Sequence, residues 1–171
     1  SGANMAGGIA TSMIEAVSLR GRFAASLGLF EVDEGSFPVV APAVRPDLVV
    51  VGNFFRDQLD RYGEVAILAA RIGETLRGLE KPPHLLYNGD DPIVSSLAEA
   101  HLGERTAFGL ECAALGLSGE QNEADIRNCP LCHAFLEYDR VYLGHLGLYR
   151  CPACGFSRPR PRFTVTDVVT Q

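Results

Sequence analysis

Short apolar runs recur along the chain and are separated by longer segments of mixed polarity. Four of these runs have the length and the β-branched character of buried strands. They occupy residues 27–33, 48–53, 84–88 and 105–109. The run at 48–53 is apolar on both of its faces, which is typical of a central strand in a parallel sheet. A further run at 163–169 predicts a strand that returns to the sheet edge.

Helical spacing of apolar residues fills the intervals between these strands. The pattern predicts helices over 3–20 and 64–79. A third helix begins at Pro92, with Asp91 placed to cap its N-terminus. This alternation of strands and helices predicts a doubly wound α/β fold, in which a mainly parallel sheet carries helices on both faces.

Composition agrees with a globular protein and excludes some functions. The chain has 171 residues, of which 47% are apolar and 21% charged, so wholesale disorder is not expected. Its net charge of −6 argues against a general nucleic-acid binder. It contains no apolar run long enough for a membrane helix and no secretory leader, so we expect a cytoplasmic location.

Two short cysteine motifs carry the strongest chemical signal. Cys129-Pro-Leu-Cys132 and Cys151-Pro-Ala-Cys154 are separated by eighteen residues. Each motif aims two sulfurs at one ion, and this spacing is typical of a structural zinc ribbon. One alternative is two disulfides, which would need a secreted protein. The other is a redox pair, which needs only one such motif. The fifth cysteine, Cys112, is interpreted as a small buried residue.

The zinc ribbon is predicted to be an insertion in the α/β domain. We place the ribbon at 126–158, and the α/β domain at 1–125 and 159–171, with a polar linker near 110–125. His133 could replace a sulfur in a Cys₃His site, but the four cysteines are complete without it. We therefore predict that His133 and His145 lie near the metal or on the surface.

Three acidic residues lie at or near the carboxyl end of the first predicted strand: Glu31, Asp33 and Glu34. Carboxylates at the carboxyl end of a strand in an α/β sheet could bind Mg²⁺. A solvated turn explains the same pattern equally well.

Several stretches together resemble the central domain of the Mur ligase family. They are, in chain order, Ser1-Gly-Ala-Asn-Met5, Leu29-Phe-Glu-Val-Asp-Glu34, Asn53-Phe-Phe-Arg-Asp-Gln-Leu-Asp-Arg-Tyr-Gly63, Asn88-Gly-Asp-Asp-Pro92 and the cysteine ribbon. The ribbon narrows the resemblance to ligase subunits that pair with a GatD-like glutaminase. The resemblance implies ATP-dependent activation of a carboxylate as an acyl phosphate, followed by attack of an amine or ammonia. The implied substrate is the D-glutamate α-carboxyl of a lipid-linked muropeptide, lipid II.

The resemblance also implies roles for individual residues. Glu31 matches a glutamate that binds Mg²⁺ beside the ATP phosphates, and Asn88 matches an asparagine that faces the adenine. Asp57 and Gln58 match an Asp-His pair near the reaction centre, although Gln58 is a weaker metal ligand than histidine. Arg71 stands where other members carry a carbamylated lysine, and arginine cannot do that chemistry.

The family comparison further implies that this chain is part of a longer enzyme. A Gly-Lys-Thr phosphate loop is expected before Ser1 and a C-terminal domain after Gln171. We therefore expect no ATPase activity from these 171 residues alone.

Two other functions fit parts of the sequence. A nucleic-acid-binding ribbon is suggested by clustered arginines with interleaved aromatic residues: Arg150, Arg158, Arg160 and Arg162, with Tyr149 and Phe156. A module that docks a partner without catalysis is the third hypothesis.

Overall fold

The computed structural model describes residues 4–23, 25–54, 62–112, 117–118, 124 and 126–167. In chain order the elements are α1 (Ala6–Ala16), α2 (Phe37–Val44), β1 (Leu48–Val51), α3 (Tyr62–Gly78), β2 (His84–Asn88), α4 (Pro92–Glu99), β3 (Arg105–Leu110), β4 (Leu117–Ser118), β5 (Glu137–Leu143), β6 (Leu146–Arg150) and β7 (Phe163–Val165). They form a four-stranded parallel sheet in the order β1-β2-β3-β7 and a three-stranded antiparallel sheet in the order β4-β5-β6. Among the described strands, β1 therefore lies at the edge of the parallel sheet, and its predicted central position is wrong.

The parallel sheet follows from apolar strands joined by helical crossovers. In register, Val49 lies beside Leu85, and Leu86 lies beside Thr106. Helix α3 connects β1 to β2 and α4 connects β2 to β3, as parallel neighbours require. Asp91 caps α4 through the N–H groups of Ile93 and Val94, which confirms the predicted helix start.

One face of the parallel sheet carries the core. Leu76 of α3, Leu85 of β2 and Val94 of α4 are almost fully buried, at 1%, 0% and 0% exposure. Alternate residues of the central strands join this core, because successive side chains of a strand point to opposite faces of the sheet. The core continues into the ribbon, where Tyr149 and Cys151 join the same cluster of buried residues.

The prediction of helices on both faces is wrong for the part of the chain that the structure describes. On the face opposite the core, Leu48, Val50 and Phe163 are 53%, 57% and 58% exposed. The strand order explains this result. It runs in one direction from β1 to β7, and helices change face only where a parallel strand order reverses.

The predicted strand at 27–33 is also wrong. This segment is irregular, and Leu27 and Leu29 are 82% and 92% exposed. A single strand without a neighbour to pair with is not stable. Asp33 instead forms a turn, in which its carboxylate accepts the N–H of Gly35, and its carbonyl accepts the N–H of Phe37 at the start of α2.

Other element boundaries differ from prediction in smaller ways. Helix α1 is shorter than the predicted 3–20, and α2 was not predicted, because its two prolines obscure the helical pattern. The predicted linker contains β4, whereas β7 does return to the sheet edge beside β3. The domain division at 126–158 stays a prediction. None of the described helices combines the length and the apolar character needed to cross a membrane.

Truncation of a core side chain on α3 tests the position of that helix. Leu76→Ala should lower the free energy of unfolding by about 2–5 kcal/mol, because Leu76 is 1% exposed and its loss leaves a cavity. Ile67→Ala on the same helix should change it by less than about 1 kcal/mol, because Ile67 is 56% exposed. Denaturant titration measures both. Equal losses for the two variants would contradict the assigned helix face.

Candidate metal centre and strand-end loop

The two cysteine motifs fold into matching turns. In the first, the Cys129 N–H donates to the Ala134 carbonyl at 2.7 Å, and the His133 N–H donates to the Cys129 carbonyl at 2.9 Å. In the second, the Gly155 N–H donates to the Cys151 carbonyl at 3.0 Å. The fifth position of each turn is left-handed, with φ of 63° at His133 and 79° at Gly155.

These turns bring the four predicted ligands together. The Sγ atoms of Cys129, Cys132, Cys151 and Cys154 all lie within 4.8 Å of one another. The separations of 3.7 Å (Cys129 to Cys154) and 3.5 Å (Cys132 to Cys151) are close to the edge of a tetrahedral Zn–S₄ site, about 3.8 Å. They are far longer than a disulfide bond of about 2.05 Å. The side chain of His133 is exposed and does not join the cluster.

The electrostatics of the cluster favour a cation at its centre. Burial raises the pKa of Cys151, but N–H donors from the Cys154 turn and neighbouring thiols outweigh burial and bring it to about 7. The Ala134 N–H lowers the pKa of Cys132, but the neighbouring thiols and burial raise it to about 12. Without a cation, one thiolate therefore opposes ionisation of the next. A divalent metal removes this conflict by stabilising all four thiolates.

The ribbon hairpin inserts a histidine into the core. His145 lies in the turn between β5 and β6 and is 1% exposed. Its Nε2 lies 3.0 Å from Oδ2 of Asp91, which is 0% exposed and also accepts the Phe54 N–H at 3.0 Å. The other carboxylate oxygen of Asp91 caps α4. Asp91 therefore links the end of β1, the start of α4 and the ribbon.

The adjacent aspartate makes a second link to the ribbon. Asp90 is 1% exposed, and its Oδ1 accepts a hydrogen bond from Nε of Arg158 at 2.6 Å. Its Oδ2 accepts the Leu110 N–H at 2.7 Å, and its carbonyl accepts the Gly147 N–H at 2.9 Å. Burial lowers the pKa of Arg158, but its hydrogen bonds to Asp90 and Glu111 outweigh burial and raise it. Arg158 is therefore a partly buried cation with two carboxylate partners.

A tyrosine completes the attachment of the ribbon. The Tyr149 hydroxyl donates to the Gly89 carbonyl at 3.2 Å, and the Tyr149 ring packs on Phe156 with a centroid distance of 5.5 Å. Burial raises the pKa of Tyr149, so its hydroxyl stays a donor. We call residues 88–91 the strand-end loop. Four ribbon residues bind it: His145, Gly147, Tyr149 and Arg158.

The predicted nucleotide-site residues are brought together only in part. Asn88 is 6% exposed; its amide nitrogen donates to Oδ1 of Asn53, and its Oδ1 accepts the Asp90 N–H at 2.9 Å. The ends of β1 and β2 therefore meet. Glu31 is exposed, and within the described ranges no hydrogen bond or ion pair joins it to Asn53 or Asn88. Asp57 and Gln58 lie outside the described residues.

The arginine cluster does not form a continuous basic surface. Arg150 pairs with Glu137 at 2.8 Å, and Arg158 is held by Asp90. Tyr149 and Phe156 are buried in the core and cannot stack on bases. Arg160 and Arg162 instead line an open pocket of about 340 Å³ beside β3.

Sequence reasoning missed the contribution of the strand-end loop to ribbon binding. His145 was predicted near the metal or on the surface, yet it contacts Asp91 rather than a cysteine. Its neighbours offered a signal, because a histidine between glycine and leucine in an apolar hairpin is unusual on a surface. The paired aspartates before Pro92 were interpreted only through the helix cap of Asp91.

Comparison with known proteins identifies the relatives of the chain. No protein-family model matches it. It is 37% identical over 167 residues to lipid II isoglutaminyl synthase (glutamine-hydrolyzing) subunit MurT of Staphylococcus aureus strains COL and N315. It is 33% identical over 169 residues to the subunit of the same name from Streptococcus pneumoniae strain ATCC BAA-255 / R6. The chain is MurT-like.

The similarity to MurT extends over almost the whole chain but only part of the relatives. The alignments cover 97% and 99% of this chain, and 36% and 37% of the Staphylococcus and Streptococcus MurT proteins. The chain therefore spans little more than a third of the curated relatives it matches. The resemblance found from the motifs is confirmed at the level of MurT.

Metal content tests the cysteine cluster. The purified chain should contain about one zinc ion per molecule, because four thiolates at these separations complete a tetrahedral shell. Cys151→Ser should lose most of the metal, whereas Cys112→Ser should retain it, since Cys112 lies outside the cluster. Elemental analysis measures the zinc. A metal-free chain whose four thiols all react freely would contradict this assignment.

The left-handed turn positions give a second prediction. Gly155→Ala should destabilise the metal-loaded chain by about 1–2 kcal/mol, because a Cβ is disfavoured at positive φ and no nearby atom adds a clash. His133→Gly should stabilise it by up to about 1 kcal/mol for the same reason. Thermal unfolding with excess zinc measures both. A stabilising Gly155→Ala would show that the turn has a different backbone conformation.

Proposed function

We propose that this chain is part of an ATP-dependent carbon–nitrogen ligase of the MurT type, which acts in peptidoglycan synthesis. The observation that carries the proposal is the 37% identity to MurT over 97% of the chain. The meeting of Asn53 and Asn88 at the carboxyl ends of β1 and β2 supports it, because ligands of open α/β sheets bind at that edge.

The proposed reaction has two steps. The α-carboxylate of D-glutamate in lipid II attacks the γ-phosphorus of ATP, which forms an acyl phosphate and releases ADP. Ammonia then attacks the acyl carbon, an amide forms, and inorganic phosphate leaves. Stabilisation of the transferring phosphoryl group by positive charge is the main requirement of the first step.

Individual residues have distinct roles in this proposal. Glu31 supplies a carboxylate ligand to Mg²⁺ beside the ATP phosphates, and Asn88 faces the adenine. The proposal also assigns Asp57 and Gln58, which lie outside the described residues, a role in handling the reacting carboxylate. The supporting evidence for Asn88 is its place at the end of a parallel strand. Glu31 is solvent-exposed, and so it is accessible to a hydrated ion.

The metal of the cysteine cluster has a structural role. Cys129, Cys132, Cys151 and Cys154 would hold zinc in a closed four-sulfur shell, which leaves no position for a substrate. Bound there, zinc supplies folding free energy to the ribbon rather than chemistry.

The partner and the location follow from the same proposal. A GatD-like glutaminase delivers ammonia and binds a part of the protein outside these 171 residues. Since lipid II is lipid-linked, the protein works in the cytoplasm at the inner membrane face. These residues contain no Gly-x-x-x-x-Gly-Lys-[Ser/Thr] loop, so the chain alone should not turn over ATP.

Mutation of Glu31 in the full-length protein tests this function. With a GatD-like glutaminase, glutamine, ATP and a lipid-linked muropeptide, the unmodified protein should convert carboxyl to carboxamide. Glu31→Ala should reduce turnover by at least about 100-fold, since phosphoryl transfer depends on the bound metal ion. Mass spectrometry of the muropeptide measures the product.

Glu15→Ala is the matched control, because Glu15 is an exposed acid on α1. Its turnover should equal that of the unmodified protein, and both variants should retain zinc. Full activity of Glu31→Ala would show that Glu31 is not part of the proposed magnesium site. An unmodified protein that forms no amide from any of these substrates would refute the proposed function.

A further inference from the structure

We propose that the ribbon is a positioning element for the proposed nucleotide site, with His145 and Arg158 as its positioning residues. Through the strand-end loop, metal binding at the cysteine cluster and nucleotide binding at the ends of β1 and β2 are thermodynamically linked. The identity of the ligand as a nucleotide rests on the proposed function.

The first support is the burial of two adjacent carboxylates. Asp90 and Asp91 are 1% and 0% exposed, so water cannot solvate them. A buried carboxylate needs hydrogen-bond donors or a cation, and the loss of one partner carries a large penalty. The ribbon provides a donor to each of them, His145 to Asp91 and Arg158 to Asp90. The conformation of the strand-end loop therefore depends on a docked ribbon.

The second support is that these carboxylates also hold the candidate site. The carboxylate oxygen of Asp91 that contacts His145 also accepts the Phe54 N–H at the end of β1. The Asp90 N–H donates to Asn88, whose amide contacts Asn53. A displacement of either aspartate therefore moves a backbone or side-chain partner of the two strand ends.

The third support is the dependence of the donors on the metal. Each of His145, Gly147 and Tyr149 lies between Cys132 and Cys151, within the segment that a metal ion would close. A ribbon of this size is not expected to keep its fold when the ligands are released. Because coupling between two binding sites is reciprocal, nucleotide should raise metal affinity by the factor by which metal raises nucleotide affinity.

The experiment compares three variants of the full-length protein: His145→Leu, His145→Gln and His133→Asn. Leucine fills the space but removes the donor to Asp91, whereas the glutamine amide can still donate. His133→Asn is the control, since His133 is exposed, is no ligand, and asparagine tolerates positive φ. Zinc content should remain one ion per chain in all three.

The readouts are hydrogen exchange of the Phe54 amide and the affinity for ATP with Mg²⁺. In His145→Leu, exchange at Phe54 should accelerate and ATP affinity should fall, each by about tenfold. Both values for His145→Gln and His133→Asn should stay within about threefold of the unmodified protein. Removal of zinc by a chelator should accelerate exchange at Phe54 as well as in the ribbon.

Three outcomes would overturn the proposal. One is unchanged exchange at Phe54 in His145→Leu. Another is exchange that accelerates equally in all parts of the protein, which is global destabilisation rather than positioning. The third is faster exchange at Phe54 with unchanged ATP affinity. If the unmodified protein binds no ATP, the proposed function fails instead, and exchange at Phe54 alone then decides whether the ribbon positions the strand-end loop.

Discussion

Two buried negative charges on neighbouring residues impose the main constraint on this protein. Asp90 and Asp91 follow β2 directly, and neither is reached by water. Their carboxylates accept hydrogen bonds from the segment after β1, from α4, from the last residue of β3 and from the ribbon. Burial of charge at this point is tolerated only because every one of these elements supplies a donor. The two sheets are therefore joined by electrostatics as well as by their shared apolar core.

The local features of the fold could be predicted from sequence because they depend on local patterns. The strands at Leu48–Val51 and His84–Asn88, the cap at Asp91 and the four-cysteine cluster all have short-range signals. The segment at 27–33 has an equally apolar pattern but no strand to pair with, and pairing is a property of the whole sheet. Whether helices cover one face of the sheet or both likewise depends on the strand order, and the spacing of apolar residues does not indicate that order.

Only the part of the candidate site that depends on the ends of the strands could be predicted from the sequence. Asn53 and Asn88 meet because parallel strands end at one edge, a rule that needs only the strand assignments. The contacts of His145 and Arg158 with the strand-end loop were not predictable, since 54 and 68 positions separate them from Asp91 and Asp90. Such pairs arise from tertiary packing, and the spacing of residues in one sequence does not indicate them.

The return of β7 to the edge of the parallel sheet has a consequence for the order of folding. β3 and β7 are neighbours in space, yet the whole ribbon lies between them along the chain. Bringing the ends of a long unstructured loop together costs conformational entropy that grows with its length. A folded ribbon shortens that loop, because Arg158 already holds its exit beside Leu110 and Asp90. We therefore expect β7 to join the sheet last, after the ribbon has folded.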